Sequence, residues 1–421
     1  MFPFRLPIVL VCLLHLAGCQ LYEFAAIQLN NQMVKPVWES PEQQSTVRLS
    51  LLHNLPMVAV TVNGKPMRFV VDTGASVSVM LETAATNELS LNQVGEMPIS
   101  GAGEGFESVA HVVDGVSIEV GAVALKDLRI VYIPFGQIAL FDHPDEVFFD
   151  GIIGIDVLKK FVVKFDYDEM NFHLAAPDHL FATDGWHQAE LDFDGATPYL
   201  QLKMQYAKNL TPVQVELLLD TGSSEYLALT VNPEQNITLP MTYVPGLGVG
   251  VTGEIKSRLT TLEYLEIGDQ QLGPLPVSLT VSGGPADSKD GVLGNQTLSR
   301  FNQVYDFGQE RVWLQANRTF DQPALLTRTG LGLLPYPKGA LVKRIIPGSA
   351  AEIHGFVSGD IITSVNGIDI SRDNYDQLRQ AMNHPDQAKA NLCWQREADH
   401  QCGSLPLFVP FVTELSPTQI R

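Results

Sequence analysis

The chain has 421 residues, of which 45% are hydrophobic and 18% charged, and its formal net charge is −20. That length predicts two or three domains, and the composition belongs to folded rather than disordered sequence. An acidic balance with no block of Lys or Arg excludes the electrostatic docking that nucleic acid or an anionic membrane surface demands.

At the N-terminus, Arg5 precedes an almost wholly apolar run, Leu6 to Leu16, that closes in Leu16-Ala17-Gly18-Cys19. The run is too short for a permanent spanning helix and suits a signal peptide over 1–18. Leu16 to Cys19 resembles the bacterial lipobox, which implies a periplasm-facing lipoprotein with Cys19 as its lipidated first residue. Gln20 after it is similar to lipoproteins sent to the outer membrane. An ordinary cleaved signal with a chance cysteine is the alternative. On the lipobox reading, lipid is the only tie to a membrane, and 19–45 is a linker.

Residues 46–178 and 190–320 repeat one another. Each runs through a strand, Asp-Thr-Gly, a Gly-rich hairpin, further strands and Asp-Gly-x-x-Gly. DGIIGIDVLKKF and DGVLGNQTLSRF share Asp, Gly, Gly, Leu and Phe in register, so an internal repeat of about 130 residues is expected. Short Val/Ile/Leu/Phe runs between Gly, Asn and Asp turns predict strands. VNGK at 62–65 predicts an Asn-Gly hairpin, and further hairpin turns are expected at Asp168-Glu169 and Gly308-Gln309. Helix is confined to 155–161 and 295–301, and 176–195 connects the halves. Over 325–415 the texture changes to strands with two helices, one at Ala350–His354 and one capped near Asp373-Asn374 with Leu378 and Met382 on one face. The fold class is therefore mainly β, two related lobes followed by an α+β domain.

Two apolar strands end in a carboxylate, as Phe69-Val70-Val71-Asp72-Thr73-Gly74 and Leu217-Leu218-Leu219-Asp220-Thr221-Gly222, with the aspartates 148 residues apart. Each is followed in its own repeat by two apolar residues and a glycine, at Ile152-Ile153-Gly154 and Val292-Leu293-Gly294. From about residue 46 to 318 the chain resembles the pepsin/retropepsin family of aspartic proteases. The resemblance implies two β-barrel lobes and a catalytic pair, Asp72 and Asp220, that share one proton. It implies support from Thr73, Gly74, Thr221 and Gly222, and protein or peptide substrates. It requires no metal and no cofactor. It also implies that one chain supplies both lobes, so that a monomer suffices. ISGAGEGFESV, with Gly101, Gly103 and Gly105, and PGLGVGVTGEI, with Gly246, Gly248 and Gly250, stand where retropepsins have the flap. Two flexible β-turns are the plainer reading. Ser223 follows the second motif where Ala75 follows the first, and a hydroxyl there is expected to donate to its carboxylate. A catalytically silent protein that only binds peptides is the rival of a different class.

The ten His show no paired metal spacing, and no Gly-x-Ser-x-Gly is present. The last domain resembles a PDZ domain of the bacterial protease-associated type. Gly330, Leu331, Gly332 and Leu333 match its carboxylate loop, which implies binding of peptide C-termini or regulation of the protease. Of the four cysteines, Cys12 lies in the signal and Cys19 in the lipobox. Cys393 and Cys402 remain, on two predicted strands around a polar turn, and a disulfide is expected in an oxidising compartment. Two buried thiols are the alternative.

Overall fold

A computed structural model describes residues 23–105, 108–246, 248–284, 289–324 and 326–413. The expected signal peptide and Cys19 lie outside them. The strand pattern becomes hairpins where the turn residues demand it. Strands Leu55–Val62 and Lys65–Val71 are joined at Asn63 and Gly64, whose φ angles of 46° and 80° are what such a two-residue turn needs.

Both repeats use one connection to deliver their aspartate. In the first lobe, Lys65–Val71 runs beside the parallel strand Gly151–Ile153, which pairs antiparallel with Val79–Leu81. In the second, Val213–Asp220, Gly291–Gly294 and Leu227–Thr230 pair in the same way. The aspartate of each Asp-Gly-x-x-Gly fixes this register. Asp150 Oδ2 accepts from the Arg68 N–H at 2.9 Å, and Asp290 Oδ2 from the Glu216 N–H at 2.8 Å. The strands are apolar because they thread the lobes: Phe69, Val71, Leu217 and Leu219 are fully buried. Each such side chain contributes about 1.5–3 kcal/mol by leaving water. The following helices, Ile155–Leu158 and Asn295–Leu298, are shorter than expected.

The lobes share a sheet at their base, in the order His187–Glu190, Arg311–Ala316, Phe301–Asp306, Val162–Asp166, Asn171–Ala175 and Gln44–Leu52. It crosses from one repeat to the other where Val162 faces Asp306. The segment 176–195 is thus more than a connection, since His187–Glu190 joins this sheet. Nor is 19–45 a bare linker. Its helical residues 23–33 bury Ile27 and Asn31, and Asn31 Nδ2 donates to Asp156 Oδ2 at 2.7 Å inside the first lobe. A buried carboxylate needs such a donor, and the helix supplies it.

The C-terminal domain is a sheet in the order Leu331–Tyr336, Gly339–Ile345, Ile361–Val365, Lys389–Arg396 and Asp399–Pro406. Helix Tyr375–Asn383 covers it with Leu378 and Met382 buried. Cys393 and Cys402 face each other across the last hairpin and are bonded, with S–S 2.06 Å and Cα–Cα 4.1 Å. Beyond the domain, Val412–Thr413 adds a strand to Thr242–Pro245 of the second lobe.

Candidate active site

The two strands bring Asp72 and Asp220 to the junction of the lobes. Thr73 and Thr221, both fully buried, lock them. The Thr73 hydroxyl donates to the Leu219 carbonyl at 2.6 Å and accepts the Thr221 N–H at 3.1 Å. The Thr221 hydroxyl donates to the Val71 carbonyl at 2.7 Å and accepts the Thr73 N–H at 3.0 Å. Glycine is required beside each carboxylate. A Cβ on Gly74 would lie 2.6 Å from the Asp220 carboxyl carbon, and one on Gly222 would lie 2.2 Å from Asp72 Oδ2.

The two carboxyl groups lie beside each other at the junction, each against the glycine of the other loop. Asp72 Oδ1 accepts the Gly74 N–H at 2.7 Å and the Ala75 N–H at 3.1 Å, whereas Asp220 Oδ1 has no protein partner. Burial raises Asp72, and its amide donors pull it part of the way back. Burial and the neighbouring Asp72 carboxylate hold Asp220 well above the usual range. Two carboxyl groups so close cannot both be charged, so the pair shares one proton. The hydroxyl of Ser223 does not serve the pair as expected. Its oxygen accepts the Glu225 N–H at 3.5 Å, because the turn folds it back toward the next residues.

The Gly-rich segments meet above the pair. The first lies at the end of the hairpin Asn92–Ile99 and Ser108–Val120, the second between Thr242–Pro245 and Gly253–Leu262. Gly105 pairs with Gly253, and Glu104 with Glu254. Gly103 and Gly250 sit in the contact itself: a Cβ on Gly103 would meet the Gly253 nitrogen at 2.3 Å, and one on Gly250 the Ala102 carbonyl oxygen at 1.9 Å. Gly101 faces Val251, while Gly246 and Gly248 pack on Ser257 and Ile255 further back in the second hairpin. Thr252, which sequence reasoning missed, fastens the two tips, donating its N–H to the Ala102 carbonyl at 3.1 Å with its hydroxyl 2.8 Å from the Gly103 carbonyl. Its place in the Gly-rich run was the only signal available.

Between the tips and the carboxyl pair lies a cleft of about 1470 Å³, which continues to Leu331, Gly332 and Leu333 of the C-terminal domain. In that loop Gly330 has φ 75°, and the Gly330 and Leu331 N–H groups donate to the hydroxyls of Thr327 and Thr329. The space between the edge strand and helix Tyr375–Asn383 is crossed by Tyr375, whose hydroxyl donates to the Leu333 carbonyl at 2.9 Å. His53, from a hairpin turn of the first lobe, packs on Tyr375 and donates its N–H to Asp376 Oδ2 at 3.2 Å. Burial, with nearby Arg379, lowers His53 to about 3, so the ring is neutral. The neighbouring Asn54 reaches the Ser224 carbonyl, two residues beyond Gly222. Arg344 of the C-terminal domain pairs with Glu254 of the second hairpin at 3.0 Å. The domain thus touches the roof directly and reaches the Asp220 loop through the His53–Asn54 turn. No group of metal-ligating side chains occurs among the described residues, and no described helix is long and apolar enough to cross a membrane.

Residues 58–157 match the family described as aspartyl protease, and residues 341–396 match the PDZ domain family. A protein of Haemophilus influenzae named "Probable periplasmic serine protease do/HhoA-like" is 34% identical over 93 residues, which is 22% of this chain and 20% of that protein. A match of 93 residues cannot contain both Asp72 and Asp220, which stand 148 apart. The chain joins an aspartyl protease-like domain to a PDZ domain, in a mainly β fold.

Proposed function

We propose that this protein is an aspartic endopeptidase that hydrolyses protein or peptide substrates between Asp72 and Asp220. The two adjacent carboxyl groups at the lobe junction, beneath two meeting hairpins, carry the reading. An extended peptide in the cleft would present its scissile carbonyl to the pair. Asp72, ionised and held by two amide donors, takes a proton from water as the oxygen attacks the carbonyl carbon. Asp220 gives its proton to the carbonyl oxygen. Collapse of the tetrahedral species breaks the C–N bond, the proton held by Asp72 passes to the leaving amine, and one hydroxyl of the tetrahedral carbon returns its proton to Asp220 as the new carboxyl group forms. Closed hairpins exclude bulk water meanwhile.

The serine type named for the Haemophilus protein belongs to that protein, and the Asp72–Asp220 geometry favours the aspartic reading here. The PDZ domain is assigned to peptide C-termini or to regulation of the cleft that it borders. The lipobox, and the word periplasmic in the relative's name, support a periplasm-facing lipoprotein anchored through Cys19 at the outer membrane. Incubating the purified chain with denatured protein tests the activity. Cleavage by the wild type, blocked by pepstatin but not by a serine-directed inhibitor and absent in Asp72→Asn and Asp220→Asn, is expected. Binding without cleavage would make it a silent peptide-binding protein, and cleavage by both variants would place the chemistry elsewhere.

A further inference from the structure

The two lobes share the catalytic turn but differ in the residues just beyond it. The Ile155 N–H donates to the Ala75 carbonyl at 2.8 Å, and the Asn295 N–H to the Ser223 carbonyl at the same distance. A Cβ on Gly154 would meet the Val77 carbonyl, and one on Gly294 the Glu225 carbonyl. Val77 and Glu225 are therefore equivalent positions, and both line the cleft. One wall is apolar there; the other carries a carboxyl group.

Glu225 is only partly exposed, and the buried Ser278 on the neighbouring strand lies beside its carboxyl. Pro276, Val277 and Ala228, which also line the cleft, offer no charge. The cations that border the cleft are engaged elsewhere: Lys343 with Asp142 and Glu146, Arg344 with Glu254, Arg379 with Asp376, and Lys159 with Gln28. Among the described residues no salt bridge reaches Glu225. Burial pushes it up to about 7, the mark of a carboxyl that lacks a counter-ion. A carboxylate in a half-dry wall is costly unless a cation arrives with the ligand.

We infer that Glu225 is a specificity residue, forming a subsite that takes a lysine or arginine side chain of the substrate close to the scissile bond. The inference rests on the endopeptidase reading, because it treats this cleft as the place where a peptide lies. A basic side chain entering beside Ser278 would give Glu225 its missing partner, whereas Val77 would hold an apolar side chain in the equivalent place.

The test uses a set of fluorescent peptides that differ only at one position, scanned along the sequence, occupied by lysine, norleucine or glutamate. For wild type, one position should show lysine preferred over norleucine by about 10- to 100-fold in kcat/KM, with glutamate worst. Glu225→Gln keeps the shape beside Ser278 but loses the charge, so the lysine-to-norleucine ratio should fall to near one. Anisotropy titration of the same peptides into the Asp72→Asn chain reads the subsite without turnover. Tighter binding of the lysine peptide there, lost on adding Glu225→Gln, supports the subsite even where wild type fails to cleave and the endopeptidase reading falls. Equal binding and cleavage of lysine and norleucine peptides, or a preference that survives Glu225→Gln, would overturn the inference.

Discussion

Replacing Thr73 by Val swaps a hydroxyl for a methyl of nearly the same size, and so removes the hydroxyl's hydrogen bonds while leaving the volume intact. The Thr221 N–H, which donates to Thr73 Oγ1 at 3.1 Å, loses its acceptor, and the Leu219 carbonyl loses a donor at 2.6 Å. Thr73, Thr221 and Leu219 are all fully buried, so water cannot take over either bond. An orphaned buried N–H costs about 1–3 kcal/mol, and the second lost bond brings the expected total to about 2–4 kcal/mol. Thr221→Val should cost about the same, because it orphans the Thr73 N–H and undoes the donation to Val71 at 2.7 Å. The double variant should lose less than the two singles together, since the contact between the Thr73 and Thr221 hydroxyls at 3.4 Å is broken by either substitution and is lost only once. Urea titration followed by fluorescence measures these differences, with the exposed Thr46→Val as control. Turnover should fall as well, by about 100-fold for a carboxyl displaced by 1 Å. Single variants costing under about 0.5 kcal/mol, or strictly additive ones, would mean that the lobes are held by their shared base sheet alone.

Asp220→Asn should lower turnover by about 10²–10⁴-fold and change the pH dependence of stability. The folded pKa of Asp220 is raised above its ordinary 3.8, so its contribution is complete below that value and is lost as pH climbs through the folded pKa. The variant should therefore gain on wild type as pH rises above about 4; a gap that does not vary with pH would refute the shared-proton assignment. Converting both Cys393 and Cys402 to Ser opens a loop with a sequence separation of 9 and should cost about 2–3 kcal/mol, read from urea midpoints against wild type kept oxidised. Arg344→Glu places like charges at the contact with Glu254 and should speed hydrogen exchange along Gly253–Leu262, with a loss of a few-fold in kcat/KM. Unchanged exchange there would show that the PDZ domain does not restrain the hairpin.

The repeat, the hairpins and the carboxylate pair were legible in the sequence because each rests on local chemistry. Asn63-Gly64 must turn with positive φ, a Leu-Leu-Leu run must be buried, and an aspartate before Thr-Gly ends such a run in both halves. The pair of half-cysteines was legible for the same reason, since two alternating strands around a short polar turn place Cys393 opposite Cys402. What the sequence left open depends on contacts between segments far apart in the chain. The 23–33 segment gave no hint that Asn31 would satisfy Asp156, 125 residues away. Nothing local says that Thr252 fastens one hairpin to the other, or that the His53–Asn54 turn joins the PDZ helix to the second Asp-Thr-Gly loop. Glu225 reads in the sequence as one more acidic residue after a serine pair. Only the folded chain, by setting it against Ser278 in the cleft wall and pairing the nearby cations elsewhere, leaves its charge without a salt-bridge partner among the described residues.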